Sequence, residues 1–316
     1  MNISNKPQKR ILVLMSTYNG ERYLREQMDS ILRQKTSYEI HLRIRDDGSK
    51  DRTCEIIDNY IRENYTQKNT ANIELIRGIN IGYNASFFNL IQRAEGFDYY
   101  SISDQDDVWS EEKLQTACDA IDSIKDDIPI LYASTSYLVH NDLIPYGTTR
   151  KKEREMTMYN TIIQNICPGH TQVMNNRLLE LLKDDIDTTR IYVYDSWIQN
   201  IANLYGRILF DNNPHTYYRQ YDGNQMGSGV GKTGQLMVSF NRIENGEGDK
   251  YRTQIEYFMK KNKVRLSEIG YYHEIEKFIN AETLLERFMY CIFGKLYRQS
   301  RLETIAYKTA VLLGKY

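Results

Sequence analysis

The stretch SDQDDVW, residues 103–109, sets Asp104, Asp106 and Asp107 within four positions, directly after a short apolar run. Carboxylates held this close repel one another and resist ionising together, so a compensating positive charge is expected nearby. A D-x-D at the end of a strand suits a hard divalent cation, held by one or two carboxylates with phosphate oxygens completing its shell. A calcium loop of the EF-hand kind is excluded, because Trp109 stands where the turn glycine must be. The competing account is an N-cap with solvated acids ahead of the helix-like SEEKLQTACDAI, with Ser110 and Lys113 nearby in its favour.

Other residues capable of chemistry are spread along the chain. DDGSKD at 46–51 has turn composition, with Asp51 capping the following helix. Two adjacent acids, Asp46 and Asp47, directly after a buried strand could also hydrogen-bond a base or ribose. STYN at 16–19 is an ordinary strand exit or a set of backbone groups for a nucleotide. Asp195, in VYDSWIQN, lies between Tyr194 and Trp197, where desolvation would raise its pKa toward that of a useful general base. GSGVGKTG at 227–234 imitates a P-loop, but Gly227 stands one residue too close to Gly231-Lys232-Thr233. A flexible lid over a phosphate-bearing ligand, with Lys232 as a phosphate contact, fits it better. His41, His140, His170, His215 and His273 show no metal-ligand spacing and read as structural. No Ser-His-Asp or Cys-His arrangement can be drawn from this sequence.

The elements that must position these residues alternate in the first half. Ile11–Met15 is a continuous apolar run, typical of a strand buried on both faces. ERYLREQMDSILRQ follows as a helix with Leu24, Met28, Ile31 and Leu32 on one stripe. Strands at Ile40–Ile44, Ile73–Ile76 and Tyr99–Ile102 then alternate with helices at Asp51–Asn64 and Ala85–Ala94. This order implies an α/β fold with a mainly parallel sheet and helices on both faces, whose ligands bind beyond the carboxyl ends of the strands. STYN, DDGS, Asn80-Ile81-Gly82 and DQDD all follow strands, so they gather at that edge. Beyond residue 130 the pattern loosens. Strands are expected at Ile130–Ala133, Tyr137–His140 and Thr171–Met174, and helices at Arg177–Leu182 and Asp195–Leu204. After about residue 250 the chain reads as mostly helical.

Composition narrows the class. The chain of 316 residues is 41% hydrophobic and 26% charged, as globular proteins are, and its net charge of −1 argues against nucleic acid as a partner. Residues 251–316 carry 12 Lys/Arg against 7 Asp/Glu, a balance of +5, on a body of −6. Cys54, Cys118, Cys167 and Cys291 are scattered, which argues against a zinc site or a disulfide framework and points to a reducing cytosol. With no run of about 18 apolar residues, any membrane contact is expected to be peripheral. The run from Glu282 to Tyr316 is amphipathic, with Leu284, Leu285, Phe288, Met289 and Ile292 on one face. It reads equally as helices packed on the body or as an interfacial helix on anionic lipid. The 26 tyrosines leave room for a homo-oligomeric interface.

Taken in order, STYN, DDGSKD, NIG and SDQDDVW resemble glycosyltransferase family 2 over roughly residues 10–225. Within it, SDQDDVW, NPHTYYRQYDGNQMG and the aromatic-flanked Asp195 look most like bacterial rhamnosyltransferases of cell-wall and capsular polysaccharide, which use dTDP-L-rhamnose. The resemblance implies a GT-A fold and an inverting, metal-dependent transfer to a lipid-linked saccharide at the cytoplasmic membrane face. It divides the chain into a GT-A catalytic domain at 1–225 (donor half about 10–110, acceptor half about 111–225), a lid at 226–250 and a helical basic region at 251–316. By matching position, Thr17, Tyr18 and Asn19 would hold the nucleotide, Asp46 or Asp47 the base and Asp104 the ribose. Asn80, Gly82 and Gln105 complete the donor side. Asp106 would ligate Mg²⁺ or Mn²⁺ at the diphosphate, and Asp195 would be the catalytic carboxylate. Asp107, Trp109, Trp197 and Arg219 would line the acceptor or support the site. Where relatives often read RQH, this chain reads Arg219-Gln220-Tyr221, so a histidine that could help bind metal or diphosphate is missing there and the resemblance does not identify a further metal ligand. A UDP-hexose-dependent transferase of the same fold and a non-catalytic nucleotide-sugar-binding subunit are the alternatives.

Overall fold

The computed structural model describes residues 8–66, 72–221, 234 and 247–316. Its first half is built on four parallel strands: β1 (Arg10–Thr17), β2 (Glu39–Asp46), β3 (Asn72–Arg77) and β4 (Tyr99–Ser103). They are joined by α1 (Leu24–Leu32), α2 (Thr53–Thr66) and α3 (Tyr83–Gln92), so the expected alternation is present. Along β1 the pleat sends Ile11, Val13 and Met15 to one face and Leu12 and Leu14 to the other. Both faces are buried. The first set packs with Leu24, Met28 and Ile31 of α1, the second with Phe87, Phe88 and Ile91 of α3.

The second half adds β5 (Val108–Trp109), α4 (Lys113–Asp122), β6 (Ile130–Val139), β7 (Pro145–Thr148), α5 (Met158–Thr161), β8 (Val173–Asn175), α6 (Asn176–Leu182), α7 (Tyr194–Tyr205) and β9 (Arg207–Arg219). The sheet runs β3-β2-β1-β4-β8-β6-β9-β5, with β7 on β6. β1 therefore lies between β2 and β4, and the strand order reverses at the β1–β4 pair. Such a reversal opens a crevice at the carboxyl edge, where open α/β sheets take their ligands.

Two expectations differ from what is found. The two short strands expected at 130–133 and 137–140 are one strand, β6. β9 was not anticipated, because Asn212-Asn213-Pro214 looks like a turn. In the structure Ser134 pairs with Asp211 and Thr135 with Pro214, so two residues bulge out of the ladder and the strand resumes.

The C-terminal region forms α8 (Glu247–Lys261), α9 (Lys263–Glu268), α10 (Tyr272–Ile279), α11 (Leu284–Phe293) and α12 (Arg301–Leu312). Phe258, Phe278 and Tyr307 belong to the same core as Leu14 and Tyr100, so these helices share the sheet's interior. Trp197 of α7 stacks on Tyr257 at 5.4 Å and meets Phe258 edge-on at 5.3 Å, which fixes α8 to the body.

Candidate active site

The carboxyl ends of the strands bring the polar loops together by register. Thr17 pairs with Asp46, and Met15 with Ser103, so the exits of β1, β2 and β4 stand side by side. Gln105 clamps the β1 exit: its Oε1 accepts the Tyr18 amide at 2.9 Å and its Nε2 donates to the Tyr18 carbonyl at 3.1 Å. Asn19 is held at φ +48, with its amide on Ser49 Oγ at 2.9 Å and its Oδ1 accepting the Lys50 amide at 2.8 Å. The Tyr18 ring stays exposed, as does Asn80.

Asp46 and Asp47 are buried and engaged internally. Asp46 accepts from Thr17 Oγ1 (3.1 Å), the Gly48 amide (3.1 Å), and the amide and hydroxyl of Ser49 (2.9 and 2.5 Å). Gly48 is required in this turn: its φ is +79, and a Cβ there would lie 3.0 Å from the Asn80 amide nitrogen. Asp47 pairs with the buried Arg45 at 2.6 Å and accepts the amides of Ile81 and Gly82 at 2.9 Å each. These two aspartates therefore fold the β2 and β3 exits around themselves.

The DQDD cluster is differently placed. Asp107 is fully buried, with one carboxylate oxygen accepting the Arg219 amide at 3.1 Å and the other without a hydrogen-bond partner. Burial pushes its carboxyl well above the usual range, and Asp106 and Asp104 push it further. Asp106 is raised for the same reasons, burial first and Asp104 next, partly offset by a bond from the Tyr221 hydroxyl to its Oδ2 at 2.5 Å. Tyr221 thus touches the metal carboxylate implied by the resemblance, but as a hydrogen-bond donor. Lys113 is also buried. It donates to the His170 carbonyl at 2.8 Å and lies 3.3 Å from the centre of the Trp109 ring. Burial holds its ammonium well below the usual pKa. Arg219 staples the cluster from behind, with bonds to the Asp106 carbonyl (2.9 Å), the Asn141 carbonyl (3.1 Å) and Glu26 Oε2 (2.6 Å).

One neighbour was not expected. His170, in the short 3-10 turn at Gly169–Thr171, sits with Nδ1 3.7 Å from Asp104 Oδ2. Among the described residues, donor atoms of Asp104, Asp107 and His170 lie within 4.8 Å of one another. The His170 ring stacks on Tyr218 at 4.4 Å, and its Nε2 bonds Ser136 Oγ at 2.8 Å. If Nε2 carries the proton to Ser136, the Nδ1 lone pair faces a carboxylate, an arrangement that calls for a shared proton or a cation. This donor set of two carboxylates and an imidazole, with one buried oxygen left over, fits a divalent ion of the Mn²⁺ type.

Asp195 occupies the first turn of α7 and is buried. Its Oδ2 accepts the Gly169 amide at 2.9 Å and its Oδ1 the Ser196 amide at 2.8 Å. Burial raises its carboxyl, while the Asn165 side chain and these amides hold it back; the negative charge of Asp104 is close enough to raise it further. The loop beneath it is tied by Gln172, which donates to the Cys167 and Asp195 carbonyls at 2.8 and 3.0 Å. Gln199 accepts the amides of Ile166 and Cys167 at 2.8 and 3.0 Å. Asn84 of α3 accepts the Tyr194 amide at 3.0 Å, locking the start of α7 to the donor half.

The structure therefore gathers Thr17, Tyr18, Asn19, Asp46, Asp47, Asn80, Gly82 and the DQDD cluster at one edge, with Asp195 in the field of Asp104. Trp109 and Trp197 are buried instead of lining an open acceptor face. Lys232 and most of the expected lid fall outside the described residues. His170, Asn84, Gln172 and Gln199 were not singled out from the sequence. No spacing signals His170, which lies far along the chain from Asp104.

The sequence model of "Glycosyl transferase family 2" matches residues 12–192, more than half of the chain. The chain belongs to glycosyl transferase family 2. Family 2 membership makes it a glycosyltransferase, and its mixed sheet with C-terminal helices is of the GT-A type. Among relatives in this family, the dTDP-rhamnosyl transferase RfbG of Shigella flexneri is 28% identical over 230 residues, covering 68% of this chain and 74% of that protein. The poly(ribitol-phosphate) beta-N-acetylglucosaminyltransferase TarS of Staphylococcus aureus is 27% identical over 174 residues, 53% of this chain and 28% of TarS. In three dimensions, the crystal structure of S. aureus TarS 1–349 in complex with UDP-GlcNAc superposes with a TM-score of 0.55 at 19% identity, covering 97% of this chain and 89% of TarS 1–349. The mannosyltransferase PcManGT of Pyrobaculum calidifontis, solved with GDP-Man and Mn²⁺, superposes at 0.51 and 16% identity, covering 98% and 88%. These likenesses establish the fold.

Proposed function

We propose that this family 2 enzyme transfers L-rhamnose from dTDP-L-rhamnose, with inversion, to a hydroxyl of a lipid-linked cell-wall or capsular saccharide, working as a peripheral protein on the cytoplasmic face of the membrane. The donor sugar is supported by the similarity to a named dTDP-rhamnosyl transferase over most of both chains. The observation that carries the chemistry is Asp195, buried, raised in pKa and within the field of the DQDD cluster. As general base it would take the acceptor proton while the acceptor oxygen attacks the anomeric carbon and the nucleoside diphosphate leaves; such a base contributes about 10²–10⁴ in rate. Tyr18 offers its exposed ring to the base. A bound divalent cation would neutralise the departing diphosphate. By the resemblance Asp106 would hold it, with Asp104 on the ribose; the geometry favours Asp104 together with Asp107 and His170 as its ligands instead.

Calorimetry with dTDP-L-rhamnose and UDP-hexoses, with and without Mn²⁺, tests the reading. The expected result is Mn²⁺-dependent binding of dTDP-L-rhamnose at least about tenfold tighter than any UDP-hexose. Asp104→Ala should abolish the Mn²⁺ dependence. His170→Ala should weaken Mn²⁺ binding, read by the cation-induced rise in Tm, while Asp106→Ala leaves more of it; the reverse order would make Asp106 the ligand. Preference for a UDP-hexose would overturn the donor. Tight donor binding without any transfer would favour a non-catalytic binding subunit.

A further inference from the structure

The helix α11 is built the wrong way round for a helix that packs on a protein body. Leu284, Leu285, Phe288, Met289, Ile292 and Phe293 are all 47–71% exposed, although a packed amphipathic helix turns its apolar stripe inward. Its inner side offers the core only Tyr290, which packs on Phe278 at 5.6 Å, and polar contacts do the rest. Tyr290 and Tyr307 share a hydroxyl hydrogen bond at 2.8 Å, Cys291 Sγ donates to the Lys308 carbonyl at 3.1 Å, and Arg287 donates to the Leu312 carbonyl at 3.4 Å. The neighbouring α12 repeats the pattern: Leu302, Ile305 and, just beyond its end, Leu313 are exposed, while Tyr307, Ala310 and Val311 face the core. Two adjacent helices thus leave outward apolar stripes, and contiguous exposed apolar surface on this scale marks an interaction site.

We infer that α11 and α12 are the surface on which this chain lies on an anionic lipid bilayer, with the side chains of Phe288 and Ile292 inserted among the acyl chains. Charge selects this occupant. Residues 283–316 hold six Lys/Arg against two Asp/Glu. Both acids are used internally, Glu286 in the capping box with Thr283 and Glu303 in a buried ion pair with Arg150. Arg301 and Lys315 are exposed in the same segment, as is Lys295, which also lies 3.8 Å from Glu274. Basic residues flanking Leu, Ile and Phe are the composition of interfacial helices that bind acidic headgroups. A second copy docked on the same face would oppose one net charge of about +4 to another, which like-charge repulsion disfavours. The rest of the chain, residues 1–282, holds 35 Lys/Arg against 40 Asp/Glu, so it is repelled from the lipid that attracts the helical end. The inference rests on the membrane-peripheral part of the reading above and needs neither the donor nor the reaction.

The test is flotation of the full chain with phosphatidylcholine vesicles, pure or containing about one-third phosphatidylglycerol. The chain should bind the anionic vesicles at least about tenfold better, and Phe288→Glu/Ile292→Glu should remove at least about nine-tenths of that binding. Both side chains are about half exposed, so the variant's melting curve and donor calorimetry should match the parent's. If that variant fails to fold, Arg301→Glu/Lys315→Glu should abolish the preference for anionic vesicles alone. Absence of vesicle binding by the parent, or unchanged binding by both variants, would overturn the inference. A parent dimer in light scattering that Phe288→Glu/Ile292→Glu converts to monomer, without vesicle binding, would make the face a self-interface and also overturn it. Donor affinity that survives these failures would leave the transferase reading standing.

Discussion

Two aspartate clusters stand at the carboxyl ends of β2 and β4, the strands on either side of β1, yet they do opposite work. Asp46 and Asp47, after β2, have both carboxylates filled by the chain itself: hydroxyls, amides and one buried arginine. Asp104, Asp106 and Asp107, after β4, crowd one another, and a buried oxygen of Asp107 has no partner. A satisfied buried carboxylate shapes a loop, whereas an unsatisfied one is held at the expense of stability and signals a ligand. Adjacent acids after a strand therefore do not identify a binding residue by themselves; the count of their hydrogen bonds does.

The sharpest way to break this contrast is Asp47→Ala. It strands Arg45 as an uncompensated buried charge and frees the amides of Ile81 and Gly82, so stability should fall by about 3–5 kcal/mol. Denaturant unfolding checks it. A loss under about 1 kcal/mol would mean that Asp47 is held for the donor and not for the loop. Asp104→Ala removes a carboxylate that is about one-third exposed and facing its own kind, and should leave stability nearly unchanged.

Next in size is the pH dependence of transfer. Asp195 must be ionised to accept a proton, and burial raises its pKa. The rate should therefore fall on the acid side, about tenfold per pH unit, along a limb displaced upward from the ordinary carboxylate range near pH 4. Asp195→Asn should flatten that limb and lower kcat/KM by about 10²–10⁴. An acid limb at the ordinary carboxylate position would assign the base elsewhere. The sign for stability is opposite. With its folded pKa raised, Asp195 stabilises the fold below the unfolded value, and that contribution is lost as pH rises through the window between the two.

How much of this could be read from the sequence follows from how local the signals are. The parallel half was legible because continuous apolar runs and helical stripes repeat between turn residues, and because such a sheet gathers its loops at one edge. β9 was hidden by Asn212-Asn213-Pro214, which only the pairing with β6 overrides. His170 joins Asp104 through tertiary folding alone. The amphipathic character of α11 was visible, but the direction of its apolar face was not, since periodicity defines a stripe and only packing orients it.

The smallest effect is the most discriminating within the structural cluster. Thr17, expected to touch the nucleotide, is buried and directs its hydroxyl to Asp46 Oδ1 at 3.1 Å. Thr17→Val keeps the shape and removes one of four hydrogen bonds to that carboxylate. Because the Gly48 and Ser49 amides and the Ser49 hydroxyl still donate to the Asp46 carboxylate, the loss should be about 1 kcal/mol. If Thr17 serves only the turn, the affinity for a nucleoside diphosphate should change by less than about threefold, since 1.4 kcal/mol corresponds to tenfold. A tenfold weakening with stability intact would show that the hydroxyl turns to the ligand when it binds, and the satisfied cluster would then belong to the site as well.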